Sequence, residues 1–443
     1  MTSRQAPAFT CVVHLPFFLM IMMAGCVTSG DVGDWRLTPL EARPEDPDTT
    51  NIQDQNDFMP STSPNGEFVL FTSGRSGAER LYLMNADGSN EHIVYSGPGT
   101  QKQGSWSPDG EKIVHLQMEE GKQFLATMNA DGSSDPKILT DVGQSWTTPS
   151  WSPDGKRILY HAVGEIGSDD IWSIDAEGGE PELVFGSARA DWHPAWSPDG
   201  SQLVFTSRRD GQDFEIYVTD LNGGPWTQLT DNEVDDYTPM WSPDGTRIVF
   251  QTPRAGRWTI VTINVDGSAQ TPITQYPMQW DPVWSHDGTE IFFNSARDGR
   301  RGIYVMNADG SNQRKLTNTE PGTFVRVVRE AGVDEAARLF REARAENPEA
   351  VYFYEREVQY LGENYLEMGH LRQATILFEV NVEAYPESKA AHMDLGKTHL
   401  AAGEIGLAVE SYQRALEIDP EDARISGLLE KLREETGAGT MRL

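Results

Sequence analysis

One phrase recurs six times along this chain. It reads Trp-Ser-Pro-Asp-Gly at 106–110, 151–155, 196–200 and 241–245, with variants Ser63-Pro64-Asn65-Gly66 and Trp284-Ser285-His286-Asp287-Gly288. From Trp106 onward the tryptophans step by 45 residues three times and then by 43. A fixed step of roughly 40–50 residues marks stacked sheet units arranged as blades. Nothing else in the chain constrains its fold as strongly.

Each repeat carries four strand signals, clearest in the fourth. Pro194-Ala195-Trp196 reads as a short inner strand, and Ser197-Pro198-Asp199-Gly200 as a tight turn in which proline presets φ and glycine takes the positive-φ position. Gln202 to Ser207 reads as a second strand, Glu215 to Asp220 as a third, 221–224 as a turn and 227–230 as the outer strand. Second strands such as Val69-Leu70-Phe71, Ile158-Leu159-Tyr160 and Ile248-Val249-Phe250 are apolar on both faces, which suits a sheet covered on both sides by neighbours. Six such units predict a six-bladed β-propeller over 58–318. A strand from 35–40 or 51–53 is expected to latch the ring.

At these residues the chain resembles the TolB-like β-propeller family, whose repeat reads Pro-x-Trp-Ser-Pro-Asp-Gly. The resemblance covers roughly 58–317, and five of six copies keep the tryptophan. It implies a six-bladed propeller of the bacterial envelope. TolB itself carries an α/β domain ahead of its propeller, where this chain has a polar stretch, so a Tol-like transport role remains an alternative. Related propellers also sit on prolyl-oligopeptidase-type serine peptidases, but no Gly-x-Ser-x-Gly nucleophile elbow occurs here.

After Pro321 the apolar period changes from two to 3.6. Gly362, Tyr365, Gly369, Ala374, Phe378 and Pro386 are echoed by Gly396, His399, Gly403, Ala408, Tyr412 and Pro420, at a step of 34 for Gly362/Gly396 and Pro386/Pro420. This resembles tetratricopeptide repeats, in which small residues let paired helices approach and aromatics fill between them. The predicted solenoid spans 321–436. An earlier unit contains Ala336, Phe340, Ala343 and Pro348, a short first helix covers 323–331, and an insertion falls near 351–354. A capping helix at 421–435 turns Leu428, Leu429 and Leu432 inward.

The chain has 443 residues, which exceeds one ordinary core. Its 68 acidic against 36 basic residues give a net charge of −32, which argues against a nucleic-acid partner. The two cysteines, Cys11 and Cys26, lie ahead of both domains, so neither domain holds a disulfide, a thiol nucleophile or a cysteine zinc site. Residues 1–25 read as an export signal, with Arg4 before an apolar run at 12–23. Met23-Ala24-Gly25-Cys26 resembles a bacterial lipobox, which implies lipidation at Cys26. An ordinary secretory signal is the alternative. Residues 26–57, rich in Asp, Pro and Thr, read as a tether. The expected location is the bacterial cell envelope, lipid-anchored, at the outer membrane facing the periplasm or the surface, because Val27 rather than Asp follows the cysteine.

The Asn-Ala-Asp-Gly-Ser segments (85–89, 129–133, 307–311) carry oxygen ligands at alternate positions, yet they lack the distal glutamate of a calcium loop and read as hairpin turns. Loops entering the inner strands should open on one face of the ring. They carry Asp57 and Phe58, Trp146, Asp191, Trp192 and His193, Asp236 and Tyr237, and Trp280 and Asp281, joined there by Arg208 and Arg297. Aromatics with mixed charge around a funnel suit peptide or glycan recognition; the bland alternative is that the rings pack and the charges pair among themselves. His115, His161 and His193 are histidines without metal-ligand spacing, so no metal and no cofactor is expected. In the helical groove, Gln359, Tyr360, Glu363, Glu367, Asp394 and Lys397 face outward at repeat-equivalent positions and suit a basic or apolar peptide. No catalytic residue is assigned. The expectation is a non-catalytic scaffold for protein or peptide partners, with a membrane contact through the lipid. A propeller-based polysaccharide lyase or hydrolase is the enzymatic alternative, resting on the metal-dependent oligogalacturonate lyases that share this propeller.

Overall fold

The computed structural model describes residues 37, 56–143, 145–164, 167–221, 225–254, 257–274, 278–317, 323–348 and 352–435. The export signal, Cys26 and the proposed latch strands lie outside these, except for Leu37, which is buried.

Six four-stranded antiparallel sheets follow one another, each built from one continuous stretch of chain: blade 1 at 57–93, blade 2 at 100–143, blade 3 at 150–185, blade 4 at 191–228, blade 5 at 237–272 and blade 6 at 279–315. In blade 4 the second and third strands fall on Gln202–Ser207 and Glu215–Asp220, and the inner strand begins earlier than its sequence signal, at Asp191. Four of the outer strands are only two residues long, which leaves little free edge for another chain to pair with.

Blades pack face to face. Separate apolar clusters fill all six gaps, including Val69, Phe71 and Met84 of blade 1 against Phe292, Ile303 and Val305 of blade 6. The repeated phrase stitches these gaps together. Within five turns the serine hydroxyl and the aspartate carboxylate hold the loop: Ser107 Oγ donates to Asp109 Oδ1, which also accepts from the Glu111 backbone at 3.0 Å. In blade 1 Asn65 Oδ1 takes the carboxylate's place. Three of the five repeat tryptophans reach back one blade with the indole, Trp106 Nε1 donating to Ser61 O at 3.3 Å, Trp151 to Ser105 O at 3.2 Å and Trp241 to Ala195 O at 3.3 Å, whereas Nε1 of Trp196 and of Trp284 is buried without an acceptor. Each turn glycine holds positive φ, and a Cβ on it would sit 3.5–3.9 Å from the proline of the preceding turn, as for Gly110 against Pro64. At the seam His286 replaces that proline and meets Gly66.

Seven helices follow among the described residues: α1 (Thr323–Ala331), α2 (Val333–Glu346), α3 (Glu355–Glu367), α4 (Leu371–Ala384), α5 (Lys389–Ala401), α6 (Ile405–Ile418) and α7 (Ala423–Glu435). They pair antiparallel as a tetratricopeptide solenoid. A Cβ on Gly362 would lie 2.7 Å from the Phe378 ring, and one on Gly396 2.5 Å from Tyr412, so both α3–α4 and α5–α6 require glycine for their closeness. The insertion before α3 is an aromatic plug: Phe353 is buried with its ring 4.7 Å from Phe324 and 5.3 Å from Phe340. The capping helix buries Leu429 and Leu432 with Tyr412 and Ala415 of α6.

The solenoid docks on blade 6 through α3. Asn364 Nδ2 donates to Ala296 O at 3.3 Å, and Arg300 pairs with the buried Glu357. Gly299, at φ +83°, approaches Val325 of α1 and the Glu357 carbonyl so closely that a Cβ would come within 3.3 Å of each. Tyr360 joins Met278, Trp280 and Ala296 in one apolar cluster.

Candidate functional site

The hub of the wheel is built by a bulge repeated in the inner strands. Register slips between Phe58 and Ser61, Lys102 and Ser105, Trp192 and Ala195, Tyr237 and Met240, and Trp280 and Val283. At each slip one non-glycine residue is held left-handed: Met59, Gln103, His193, Thr238 and Asp281, all at φ between 51° and 57°. Such a conformation costs roughly 1–2 kcal/mol per residue and persists only where surrounding structure dictates it. These five residues, with Thr148 just ahead of blade 3, line a hub cavity of about 110 Å³. Within the protein, Gln103 Oε1, Thr148 Oγ1, His193 Nδ1 and Thr238 Oγ1 are buried atoms without a hydrogen-bond partner. Polar atoms in that state are normally satisfied by water or ligand.

The sequence singled out His193 and Asp281 but not the other four hub positions. A signal existed: in five of the six blades the hub residue stands immediately before the proline of the Pro-x-Trp phrase or its counterpart.

Around this hub the predicted charges are largely engaged. Asp57 is fully buried and paired with Arg75 at 2.6 Å, and Asp191 is likewise buried and paired with Arg209 at 2.9 Å. Burial nevertheless holds both carboxyls above the usual range, outweighing the arginines. A local motif fixes each arginine. Ser73, Ser207 and Ser295 accept from the Nε of Arg75, Arg209 and Arg297 at 3.0 Å, and the guanidinium lies over the blade's own rings, 5.0 Å from Tyr82, 4.8 Å from Phe205 and 4.5 Å from Tyr304. Arg297 also donates to Gln313 at 2.8 Å. Arg208 sits 4.0 Å over Phe214 and reaches Asp235 at 3.4 Å. Among the described residues Asp236 pairs with no arginine. It shares the Asn232 amide with Glu215, whose carboxyl burial pushes up to about 7; Asp236 is raised too.

The rings of blades 4 and 5 form a continuous aromatic wall. Trp192 stacks on Phe214 at 4.3 Å, Tyr237 lies 6.3 Å from Trp192 and 6.0 Å from Trp258, and His193 is 6.0 Å from Tyr237. Trp192 Nε1 donates to Asp169 at 2.8 Å. Across the mouth, Trp146 is the most exposed of the predicted rings at 55%, with Lys102 Nζ 3.5 Å above it. Trp280 is covered on one side by Arg301, 4.4 Å away.

His161 and His193 lie 5.7 Å apart, ring to ring. Loss of solvent pushes both imidazoles down to about 3, and that of His115 to about 4, so all three are neutral at physiological pH. Among the described residues no group of three or more His, Cys, Asp or Glu is placed to hold a metal ion. In the Asn-Ala-Asp-Gly-Ser turns the aspartate is already bonded: Asp87 Oδ1 accepts from both the backbone and the hydroxyl of Ser89.

In the helical groove, Gln359 donates to Asp394 at 2.9 Å and to Glu363 at 3.4 Å, while Lys397 pairs with Asp394 at 2.8 Å. Burial, then Asp394, raises the Glu363 carboxyl to about 7. Glu367 adds to that repulsion. Tyr360 parts from this group and faces the propeller. The sequence treats funnel and groove as two sites; the structure joins them at α3. A cavity of about 370 Å³ opens at the funnel mouth, lined from the propeller by Phe58, Trp146, Trp280, Asp281 and Arg301 among others, and from α3 by Arg356 and Tyr360. It shares Met59, Gln103 and Asp281 with the hub cavity. Arg301 and Arg356 escaped sequence reasoning because only the docking of α3 brings them together.

A model of the TolB beta propeller domain matches residues 48–185 and 135–279, and a tetratricopeptide repeat model matches 361–423. No curated protein matches the chain. Among solved structures, TolB from Acinetobacter baumannii is 21% identical over 59% of this chain with a TM-score of 0.48; the match spans 63% of that protein, less than two thirds of its length. An oligogalacturonate lyase in complex with manganese is 16% identical over 60% of this chain and 77% of its own (TM-score 0.43), and the tricorn protease 18% identical over 59% and 26% (TM-score 0.47). These are likenesses of fold.

Proposed function

The chain belongs to the TolB β-propeller domain family, and from that premise we propose that it is a non-catalytic scaffold binding a protein or peptide partner at the funnel mouth. The observation that carries this reading is the composite cleft, in which a propeller rim of aromatic rings and a helix of a tetratricopeptide module line one cavity. The cavity falls within the roughly 300–1,000 Å³ of ligand sites. The groove residues Gln359, Glu363, Glu367 and Lys397 are at least partly exposed and extend the surface, whereas Asp394, expected to face outward, is buried beneath Gln359 and Lys397 as their partner. The scaffold is held in the bacterial cell envelope by a lipid on Cys26, as the sequence of residues 1–26 suggests.

Crosslinking mass spectrometry in envelopes tests the reading. Wild-type protein is expected to crosslink a partner through residues flanking Trp146 and α3, and Trp146→Ala, an exposed change, is expected to remove those crosslinks. Crosslinks unchanged by Trp146→Ala would refute it. Turnover of an oligosaccharide that depends on added Mn²⁺ and disappears in His193→Ala would replace it with the enzymatic alternative.

A further inference from the structure

We propose that the cleft between the funnel mouth and α3 receives the free C-terminal carboxylate of a polypeptide, gripped between Arg301 of blade 6 and Arg356 of α3. This rests on the scaffold reading and specifies which end of the partner enters.

The two guanidiniums come from different modules and line one cavity. Among the described residues neither forms an ion pair, whereas their neighbours do: Arg300 with Glu357, Arg75 with Asp57 and Glu91, and Lys102 with Glu79. Arg301 is set in place from two sides. Its backbone N–H donates to Asn56 Oδ1 at 3.1 Å, and its guanidinium lies 4.4 Å over Trp280. Its Nε is buried without an acceptor. A buried donor left in that state is costly, and a carboxylate is the acceptor that fits a guanidinium fork.

Two further features select a chain terminus. Gln103 is 5% exposed, and its Oε1 lacks a donor on the wall of the same cavity, where a peptide N–H could supply one. The protein also carries a net charge of −32. That field repels a polyanion such as an acidic glycan but tolerates one terminal charge on a neutral or basic chain. Of the two lining carboxylates, Glu79 is paired with Lys102, and Asp281 accepts from Asn294 and acts on Arg301 through its charge without a hydrogen bond to it, so the Arg301 Nε donor and the exposed Arg356 remain for a ligand. Trp146, Trp280 and Tyr360 provide apolar surface for the last side chain.

The probes are two pools of N-acetylated random hexapeptides, one with free carboxyl ends and one amidated, passed over the immobilised mature protein. The free-acid pool is expected to be retained about tenfold to a hundredfold better, the span of a charge-assisted hydrogen-bond pair. Arg356→Gln, an exposed change, and Arg301→Gln are each expected to bring the pools level. Arg301→Lys, which keeps charge over Trp280 but loses the planar fork, should fall between. Equal retention of both pools by the wild type overturns the inference and leaves the scaffold reading standing, the more so if Trp146→Ala lowers both. Retention of neither pool overturns the inference and counts against the scaffold reading; retention of trigalacturonate in their place points to a glycan site.

Discussion

The hydroxyl of Thr62 donates to the main-chain carbonyl of Trp284 at 2.9 Å, joining residues 222 apart in sequence. Thr62 stands where the other five blades carry tryptophan, and Trp284 is the last of those tryptophans, so this bond spans the join between first and last blades. Among the described residues no strand crosses that join; packing and a few polar contacts close it.

Thr62→Val should therefore weaken closure. Loss of one such bond costs about 0.5–1.5 kcal/mol, and a shift of about 2–4 °C in Tm follows for a domain of this size. His286→Pro, which restores the proline used at the other turns, should leave Tm unchanged or raise it, since a compatible proline stabilises by about 0.4–1 kcal/mol. Calorimetry of both variants checks the pair of signs; a drop of several degrees in His286→Pro would show that the seam turn differs from its five counterparts.

His115 occupies the second-strand position opposite the inner-strand bulge, where the other blades place Phe71, Tyr160, Phe205, Phe250 and Phe293. It is fully buried, and neither ring nitrogen has a partner. His115→Phe should stabilise by about 1–3 kcal/mol, the usual cost of an unsatisfied buried polar group. The gain should grow below pH 6.5, because an imidazole pushed down to about 4 stays neutral in the folded state while the unfolded chain takes up the proton. Denaturant melts at pH 5 and pH 7.5 measure both effects; a loss of stability at both values would assign His115 a role the packing does not show.

Glu215 and Asp236 should make the protein less stable as pH rises. Both carboxyls are raised in the folded state by burial, Glu215 to about 7, while unfolded carboxyls titrate near 4. The folded pair thus keeps a proton that the unfolded chain releases, and its contribution is lost between about pH 4.5 and pH 7. Glu215→Gln, which carries no charge to bury, should raise Tm at pH 8 and change it little at pH 5. Equal shifts at the two pH values would mean that the pair does not share a proton.

Docking of the solenoid depends on blade 6. Glu357→Ala leaves Arg300 without its buried partner and removes the N-terminal contact to the Tyr354 backbone, a loss of about 3–5 kcal/mol for a broken buried pair. Two separated calorimetric transitions, one for the propeller and one for the helices, are expected in place of a joint one. Gly299→Ala should act in the same direction more weakly, through Val325. A single undivided transition in Glu357→Ala would show that other contacts carry the dock.

Much of the fold is legible in the sequence because its devices are local. The turn serine, aspartate and glycine act within a few residues, and the repeat period follows from one blade's length. Gly362 and Gly396 announce the helix pairs for the same reason. The site is less legible. Whether Asp57 and Asp191 face ligand or arginine depends on Arg75 and Arg209, each 18 residues away, and Arg301 and Arg356 come to line one cavity only across the dock between two modules. Tyr360 looks like a groove residue from its repeat position, and only the approach of α3 to Trp280 shows that it seals the joint.

Five bulges and the matching segment at Thr148 give the wheel a nearly sixfold backbone at its centre, yet Met59, Gln103, Thr148, His193, Thr238 and Asp281 present five kinds of side chain, with threonine alone occurring twice. A thioether, an amide, two hydroxyls, an imidazole and a carboxyl stand around one axis with no repeat among neighbours. Anything that enters along that axis therefore meets a lock with a single rotational setting, although the barrel that houses it was stamped from one pattern.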